Sequence, residues 1–176
     1  MENLDGAVAR VLAGDASAFQ QIVDATSPTL VRLSIRMMGN VADGEDAMQE
    51  AYVKAYRGLV EGRFDGRAKF GTWLRRIVVN TAIDAMRARA RAPKAAGEAL
   101  DTASDERASA ETLLALREIS DWLAELPPDQ RAALILKSIE GHTSAEIAEL
   151  LGCSEGAVEQ RLVRARLTLR QRSNLT

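Results

Sequence analysis

The sequence of 176 residues predicts an all-α protein in which a flexible linker joins two small helical domains. Along most of the chain, apolar residues recur every three or four positions, which is the spacing of amphipathic helices. The stretch 93–110 breaks this pattern because it is acidic and has few bulky apolar residues, as linkers do. We therefore expect an N-terminal helical bundle at 1–92 and a C-terminal domain of four helices at 111–176.

Three core helices are predicted at the start of the chain. The first ends at Gly14, and Asp15 is suited to capping the second. Pro28 is suited to the first position of a third helix, which Gly39 and Asn40 end after Met38.

The next helix, predicted at 43–57, has an acidic face. Asp43 is suited to capping it, and the acidic residues of its first turn complement the helix dipole. Such a face is either a solvated surface or a docking surface for a basic partner. Its candidate residues are Asp43, Asp46, Gln49 and Glu50.

A glycine-containing loop at 61–69 leads into a helix with two different sides at 70–91. Its apolar positions, Trp73 among them, predict a buried face, and Thr72 is suited to capping its start. A polar stripe on the other side can lie along a phosphate backbone, although an ordinary surface helix shows the same spacing. The stripe consists of Arg76, Asn80, Asp84, Arg87 and Arg91.

The C-terminal domain is predicted to contain a helix-turn-helix. One helix runs over 113–126, and Pro128 begins another that Gly141 ends. Thr143 and Glu146 form a capping box before a short helix, Gly152 makes the turn, and a basic helix follows over 155–172. A chance helical hairpin has the same caps, but arginines along the second helix favour DNA binding.

Charge is segregated along the chain, although the net charge is only −2. Residues 63–94 hold nine Lys or Arg and two Asp, and residues 155–172 hold five Arg and two Glu. Residues 95–126 hold eight acidic and two basic residues. The sequence therefore predicts two basic surfaces with an acidic connector between them.

Composition argues against several classes of protein. One cysteine, Cys153, excludes an internal disulfide, and with one histidine, His142, it makes a zinc site or a Cys–His catalytic pair unexpected. Both residues are expected to be structural rather than sensors of metal or redox state. No apolar run approaches the roughly 18 residues of a membrane span, and the N-terminus lacks signal-peptide order. We expect no enzyme, no cofactor, no metal and no membrane insertion.

Four blocks in the same order resemble the extracytoplasmic-function (ECF) sigma factors, the small two-domain sigma factors of bacterial RNA polymerase. The blocks are DGEDAMQE at 43–50, FGTWLRRIVVNTAIDAMRARAR at 70–91, LPPDQRAALIL at 126–136 and EGHTSAEIAELLGCSEGAVEQRLVRAR at 140–166. They span most of the chain outside the linker and the extreme ends. The resemblance implies a sigma factor that binds core RNA polymerase and directs promoter-specific initiation in the cytoplasm, associated with the nucleoid when active.

The resemblance also implies roles for residues. Asp43, Asp46, Gln49 and Glu50 would contact the clamp helices of the beta-prime subunit, within a wider contact that includes the beta subunit. The 61–70 loop would receive an unstacked base of the minus-ten element. Further implied partners are promoter DNA and an anti-sigma factor, with a stress or envelope-response regulon as the target. The implied minus-ten contacts are Arg76, Asn80, Arg87 and Arg91, with Asn80 on a non-template base and the arginines on phosphates.

The helix at 155–172 would enter the major groove of the minus-thirty-five element. Gln160 suits adenine, and Arg164 suits guanine or phosphate. Glu159 departs from the usual pattern of the family: it either accepts a hydrogen bond from cytosine N4 or repels phosphate, and its role stays open. The implied contacts are Glu159, Gln160, Arg161, Arg164 and Arg166.

Two other classes of protein share some of these features. A sigma-mimicking adaptor would keep the fold but lose the DNA-facing residues, which are present here. A plain helix-turn-helix regulator would leave the acidic motif and the 70–91 helix unexplained. Co-purification with core polymerase distinguishes a sigma factor from both.

Overall fold

The computed structural model describes residues 4–91 and 121–173, and it confirms the all-α class. Helical residues 121–125 precede three further helices of the carboxyl-terminal part. The predicted linker at 93–110 lies outside the described residues. The helices are α1 (Leu4–Leu12), a 3-10 helix (Ala16–Ala18), α2 (Phe19–Met38), α3 (Val41–Val60), α4 (Phe70–Arg91), α5 (Pro128–Ser138), α6 (Ser144–Leu151) and α7 (Glu155–Ser173).

Helices α1 to α4 form the amino-terminal unit, in which α2, α3 and α4 pack against one another. Buried leucines, valines and methionines fill its centre, with Ile22, Met37 and Leu74 fully enclosed. The two long helices α2 and α3 approach closely at Gly44, where an added Cβ would lie 2.6 Å from the Cα of Ile35. This close approach fixes the position of the α3 segment that carries the acidic motif.

Several helix boundaries differ from the sequence prediction. The helix expected to restart at Pro28 is part of one continuous helix α2, so the proline lies inside it. Helix α3 begins at Val41 rather than Asp43, because the Asn40 side chain accepts a hydrogen bond from the Asp43 backbone N–H at 2.8 Å. Asp15 caps the 3-10 helix instead of α2, and Thr72 lies within α4 rather than at its cap.

The helix-turn-helix prediction agrees with the structure. The Thr143 hydroxyl accepts from the Glu146 N–H at 3.2 Å, and the Glu146 carboxylate accepts from the Thr143 N–H at 2.8 Å. Gly152 ends α6 with φ of 62°, a left-handed conformation that glycine adopts without a side-chain penalty. Buried Ile147, Val158 and Leu162 hold α6 and α7 to each other and to α5.

The carboxyl-terminal unit, residues 121–173, packs directly against the amino-terminal unit. Helix α4 contacts both α5 and α6, and α2 also contacts α5. The buried apolar residues of the two units form one continuous core. The domain boundaries at 92 and 111 stay a prediction. In the described residues, two sets of helices share one core.

No helix in the described part of the chain has the length and apolarity needed to cross a membrane.

Candidate nucleic-acid and partner interfaces

An acidic surface depression of about 340 Å³ lies where the end of α2, the first half of α3 and the end of α4 meet. Asp43, Asp46 and Glu50 supply its negative charge, so three of the four predicted docking residues share one site. Gln49 is exposed on the same helix but does not line the depression. Its apolar and basic lining consists of Met38, Ala47, Ala85 and Arg89.

An arginine of the same chain partly occupies this depression. Arg89 on α4 forms an ion pair with Asp43, and Asp43 also accepts a hydrogen bond from the Asn40 side-chain amide at 2.6 Å. Asp46 and Glu50 remain exposed, with Lys54 pairing with Glu50 at 2.7 Å. A basic side chain from a partner would therefore meet Asp46 and Glu50 first and compete with Arg89 for Asp43.

The loop before α4 is anchored by three aromatic rings. Phe64 lies 5.5 Å from Phe70 and 5.3 Å from Trp73 between ring centroids, and the Phe70 and Trp73 rings are 5.6 Å apart. Trp73 is partly buried against the core, as the sequence predicts. Ring packing of this kind holds the loop and leaves Arg63, Arg67 and Lys69 on its surface.

The predicted polar stripe of α4 exists, but part of it faces the carboxyl-terminal unit. Arg87 donates two hydrogen bonds to the carboxylate of Asp129, at 3.0 and 2.9 Å. Arg76 is exposed, and a Cβ added at Gly152 would lie 3.4 Å from its Nη2. Asn80, which lies between Arg76 and Arg87 in sequence, is half-buried. Arg91 is exposed at the end of the helix. The stripe is therefore continuous in α4 but not uniformly open.

Helix α7 has an exposed face that carries most of the residues predicted to read the minus-thirty-five element. Gln160, Arg164 and Arg166 are exposed. The Glu159 carboxylate accepts a hydrogen bond from the Ser144 hydroxyl at 2.5 Å, which ties α7 to the start of α6. That contact directs one carboxylate oxygen of Glu159 to the protein.

Arg161, the remaining predicted DNA contact of α7, lies in a different environment. Its side chain is only 27% exposed, and it donates a hydrogen bond to Cys153 Sγ at 3.1 Å. A second guanidinium nitrogen lies 3.7 Å from Asp129. In this arrangement Arg161 contacts the protein, so its role at DNA stays a prediction.

Cys153 and His142 both contact neighbouring protein groups. Cys153 is half-buried as the acceptor for Arg161. His142 Nδ1 lies 3.6 Å from Glu146, whose pKa is lowered mainly by the hydrogen bond from the Thr143 backbone. Within the described ranges, 4–91 and 121–173, no three potential metal ligands lie together.

Sequence reasoning missed the residues that join the two units. Asp129 links Arg87 to Arg161, and Glu140 pairs with Arg36 at 2.5 Å. In the sequence, Asp129 is indistinguishable from an ordinary acidic residue in the first turn of a helix. Only the packing of α4 on α5 and α6 gives it these partners.

The fold and these surfaces define a class of protein: an all-α chain with a helix-turn-helix, a second arginine-bearing helix and an acidic surface depression. Residues 22–92 match the sigma-70 region 2 family, and residues 116–169 match the sigma-70 region 4 family.

Relatives along most of the chain give the same assignment. The ECF RNA polymerase sigma factor SigM of Mycobacterium tuberculosis is 36% identical over 158 residues, covering 90% of this chain and 78% of SigM. SigW of Bacillus subtilis is 34% identical over 176 residues, covering 93% of both chains. The ECF sigma-E factor of Escherichia coli is 34% identical over 175 residues, covering 90% of this chain and 88% of its own.

Solved structures match the fold. CnrH in complex with the cytosolic domain of CnrY is 27% identical with a TM-score of 0.65, covering 96% of each chain. The sigma factor RpoE of Bartonella quintana, in complex with the anti-sigma factor NepR, is 25% identical with a TM-score of 0.66, covering 87% of this chain and 94% of that chain.

The chain belongs to the extracytoplasmic-function sigma factors of bacterial RNA polymerase. It is thus a sigma factor that directs transcription, and core RNA polymerase and promoter DNA are its partners. Members of this family are initiation factors without catalysis of their own.

Proposed function

We propose that the acidic depression docks this sigma factor on the beta-prime clamp helices of core polymerase. The supporting observation is that Asp43, Asp46 and Glu50 converge on one depression beside exposed Gln49. Carboxylates around an apolar floor suit an arginine or lysine that lies along a helix of the partner. Additional contacts to the beta subunit complete the interface.

In the same proposal, the loop 61–70 and α4 recognise and open the minus-ten element. Asn80 contacts a non-template base, for which its amide supplies both a donor and an acceptor. Arg76, Arg87 and Arg91 hold phosphates. The aromatic cluster around Phe64 supports this role, because it fixes the loop against α4.

Helix α7 reads the minus-thirty-five element with Gln160 and Arg164, and Arg166 holds phosphate. The hydrogen bond from Ser144 occupies one carboxylate oxygen of Glu159 and supports a role in positioning α7, while the other oxygen leaves a contact to cytosine N4 open. Arg161 reaches DNA only if its contacts to Cys153 and Asp129 are released. Polymerase performs the chemistry, and this subunit supplies the promoter address and strand opening without catalysis.

An anti-sigma factor holds the protein inactive in the cytoplasm until a stress or envelope signal releases it, after which it acts at the nucleoid. Both similar solved structures support this step, because each is described as a complex: CnrH with CnrY, and RpoE with the anti-sigma factor NepR.

Run-off transcription with purified core polymerase on a library of promoter-like DNA tests the proposal. Asn80→Ala should abolish strand opening while core binding is kept, and Arg164→Ala should retarget or lose minus-thirty-five recognition. Charge reversal by Glu50→Lys should weaken core binding, whereas Glu149→Lys, on exposed α6 surface, is the matched control. Failure of the wild-type protein to bind core would contradict the proposal.

A further inference from the structure

The carboxyl-terminal unit packs against the face of α4 that carries two of the proposed phosphate contacts, although both of these arginine side chains remain exposed. Arg76, Ile83 and Arg87 are spaced by seven and four residues, so they share a face of the helix. Arg76 lies near Gly152, where an added Cβ would be 3.4 Å from its Nη2, and Arg87 forms hydrogen bonds to Asp129. Ile83, which lies between them, is 3% exposed and belongs to the continuous core.

Asp129 binds an arginine from each of the two DNA-binding helices. Nη2 of Arg87 on α4 donates to both oxygens of its carboxylate, and Arg161 of α7 lies 3.7 Å from it. A carboxylate and a DNA phosphate present the same kind of charged oxygen acceptors to a guanidinium group. We call the packing of the two units against each other the closed arrangement. In it, Asp129 takes the place that a phosphate would have beside both arginines.

We propose that this face of α4 is a shared docking surface, which takes either the carboxyl-terminal unit of the same chain or promoter DNA, but not both. The inference rests on the proposed function, since it needs α4 to bind DNA. Core polymerase docks at a separate surface, the acidic depression. Polymerase can therefore stay bound while DNA replaces the carboxyl-terminal unit on α4.

A second ion pair and a buried charge set the balance between the two occupants. Arg36 of α2 pairs with Glu140 at 2.5 Å, which adds to the contact between the units. Arg131 instead destabilises the contact between the units. The residue is 5% exposed, and its guanidinium donates only to the Arg36 carbonyl, at 3.4 Å. Its Nε has no hydrogen-bond partner. A buried cation without a carboxylate partner carries a desolvation penalty.

The cost of burying the charged Arg131 side chain also lowers its pKa. Burial, together with the nearby positive charge of Arg89, lowers the pKa of Arg131 to about 10. Arg131 is still protonated at neutral pH, so the closed arrangement contains an uncompensated positive charge. This cost subtracts from the stability of the contact between the units and makes the contact easier for DNA to displace.

Two opposite sets of variants test the inference on the full-length free protein. Asp129→Asn should raise affinity for a short fluorescein-labelled single-stranded DNA of random sequence by about threefold, the range that one exposed ion pair supports. Adding Glu140→Gln should bring the gain to about tenfold and enlarge the radius of gyration in small-angle scattering. Arg131→Met should lower the affinity, because an apolar side chain favours the closed contact.

Glu149→Gln is the matched control, because it removes one negative charge from the same unit at an exposed position. General electrostatics predicts equal gains for Asp129→Asn and Glu149→Gln, whereas the shared docking surface predicts a gain for Asp129→Asn alone. Equal gains, or an unchanged radius of gyration in the double variant, would overturn the inference.

Run-off transcription with core polymerase separates this result from the proposed function. Initiation by the wild-type protein, together with equal DNA binding by Asp129→Asn and Glu149→Gln, leaves the sigma function standing and refutes the shared docking surface. Absence of initiation and of core binding refutes the proposed function itself and the DNA half of this inference.

Discussion

Replacing Gly44 with alanine should separate α2 from α3 beneath the acidic depression. Gly44 lies in the motif DGEDAMQE and is buried. A Cβ at this position would lie 2.6 Å from Cα and Cγ1 of Ile35 and 2.8 Å from its backbone nitrogen. Two of these atoms are main chain, so rotation of a side chain cannot relieve the overlap.

The expected magnitude is the difference between two effects. Overpacking in a close helix contact costs about 1–3 kcal/mol, and a main-chain clash places Gly44→Ala near the upper value. Alanine in a helix regains about 1 kcal/mol over glycine. We expect a net loss of about 2 kcal/mol in the free energy of unfolding, equivalent to a fall of roughly 4–8 °C in the melting temperature.

Urea unfolding followed by circular dichroism at 222 nm measures this change, with Gly6→Ala and Gly58→Ala as matched controls. At Gly6, in α1, nothing lies within 4 Å of the added Cβ, so alanine should stabilise by about 1 kcal/mol. At Gly58 the Cβ would lie 3.0 Å from the Trp73 ring, so the two effects should nearly cancel. The three variants should therefore rank Gly6→Ala, Gly58→Ala, Gly44→Ala in decreasing stability.

A Gly44→Ala protein as stable as the wild type, with an unchanged dependence on urea, would refute the close approach of α2 and α3. A folded but displaced α3 should also lower affinity for core polymerase more than Gly58→Ala does, because the acidic depression depends on that approach.

Three further predictions concern hydrogen bonds. Thr143→Ala should destabilise the protein by about 1 kcal/mol, since it removes the hydroxyl of the capping box, and Thr143→Ser should restore most of the loss in urea unfolding. The lowered pKa of Glu146 means that its contribution is present above its unfolded pKa, near 4.5, and is lost as pH falls through the lower folded value. Melting temperatures measured from pH 6 to about pH 3 should therefore fall less for Glu146→Gln than for the wild type. Tyr52→Phe should cost about 1 kcal/mol in urea unfolding, because it removes the hydroxyl that lies 2.9 Å from Thr26 Oγ1; an unchanged stability would contradict a net contribution from that bond.

Local signals in the sequence predicted the helices, but several of their ends depend on competition between neighbouring groups. Asn40 and Asp43 are both good N-caps, and the structure uses Asn40, with Asp43 bonded to the Asn40 amide. Pro28 is compatible with a first helical turn, yet α2 continues through it. There the neighbouring helices supply packing that outweighs the missing backbone hydrogen bond.

Some features of the candidate sites also followed from the sequence, and others depended on packing. Helical spacing alone placed Asp43, Asp46 and Glu50 on one face, and their convergence on a depression agrees with it. The sequence could not distinguish Arg161 from Arg164, because both are arginines on one basic helix. Packing decides that difference: Arg161 is half-buried against Cys153 and Asp129, and Arg164 is exposed.

By itself, the sequence determined the all-α class, the helix-turn-helix and the family, because these depend on periodicity, caps and motifs that are local in the chain. Only the tertiary structure decided which arginines are exposed to solvent and which contact other protein groups. Asp129 is 42 residues from Arg87 in sequence, and no local pattern encodes a contact across that separation. Such contacts arise only when two units bury a common core, since that packing brings distant charges within a few ångströms.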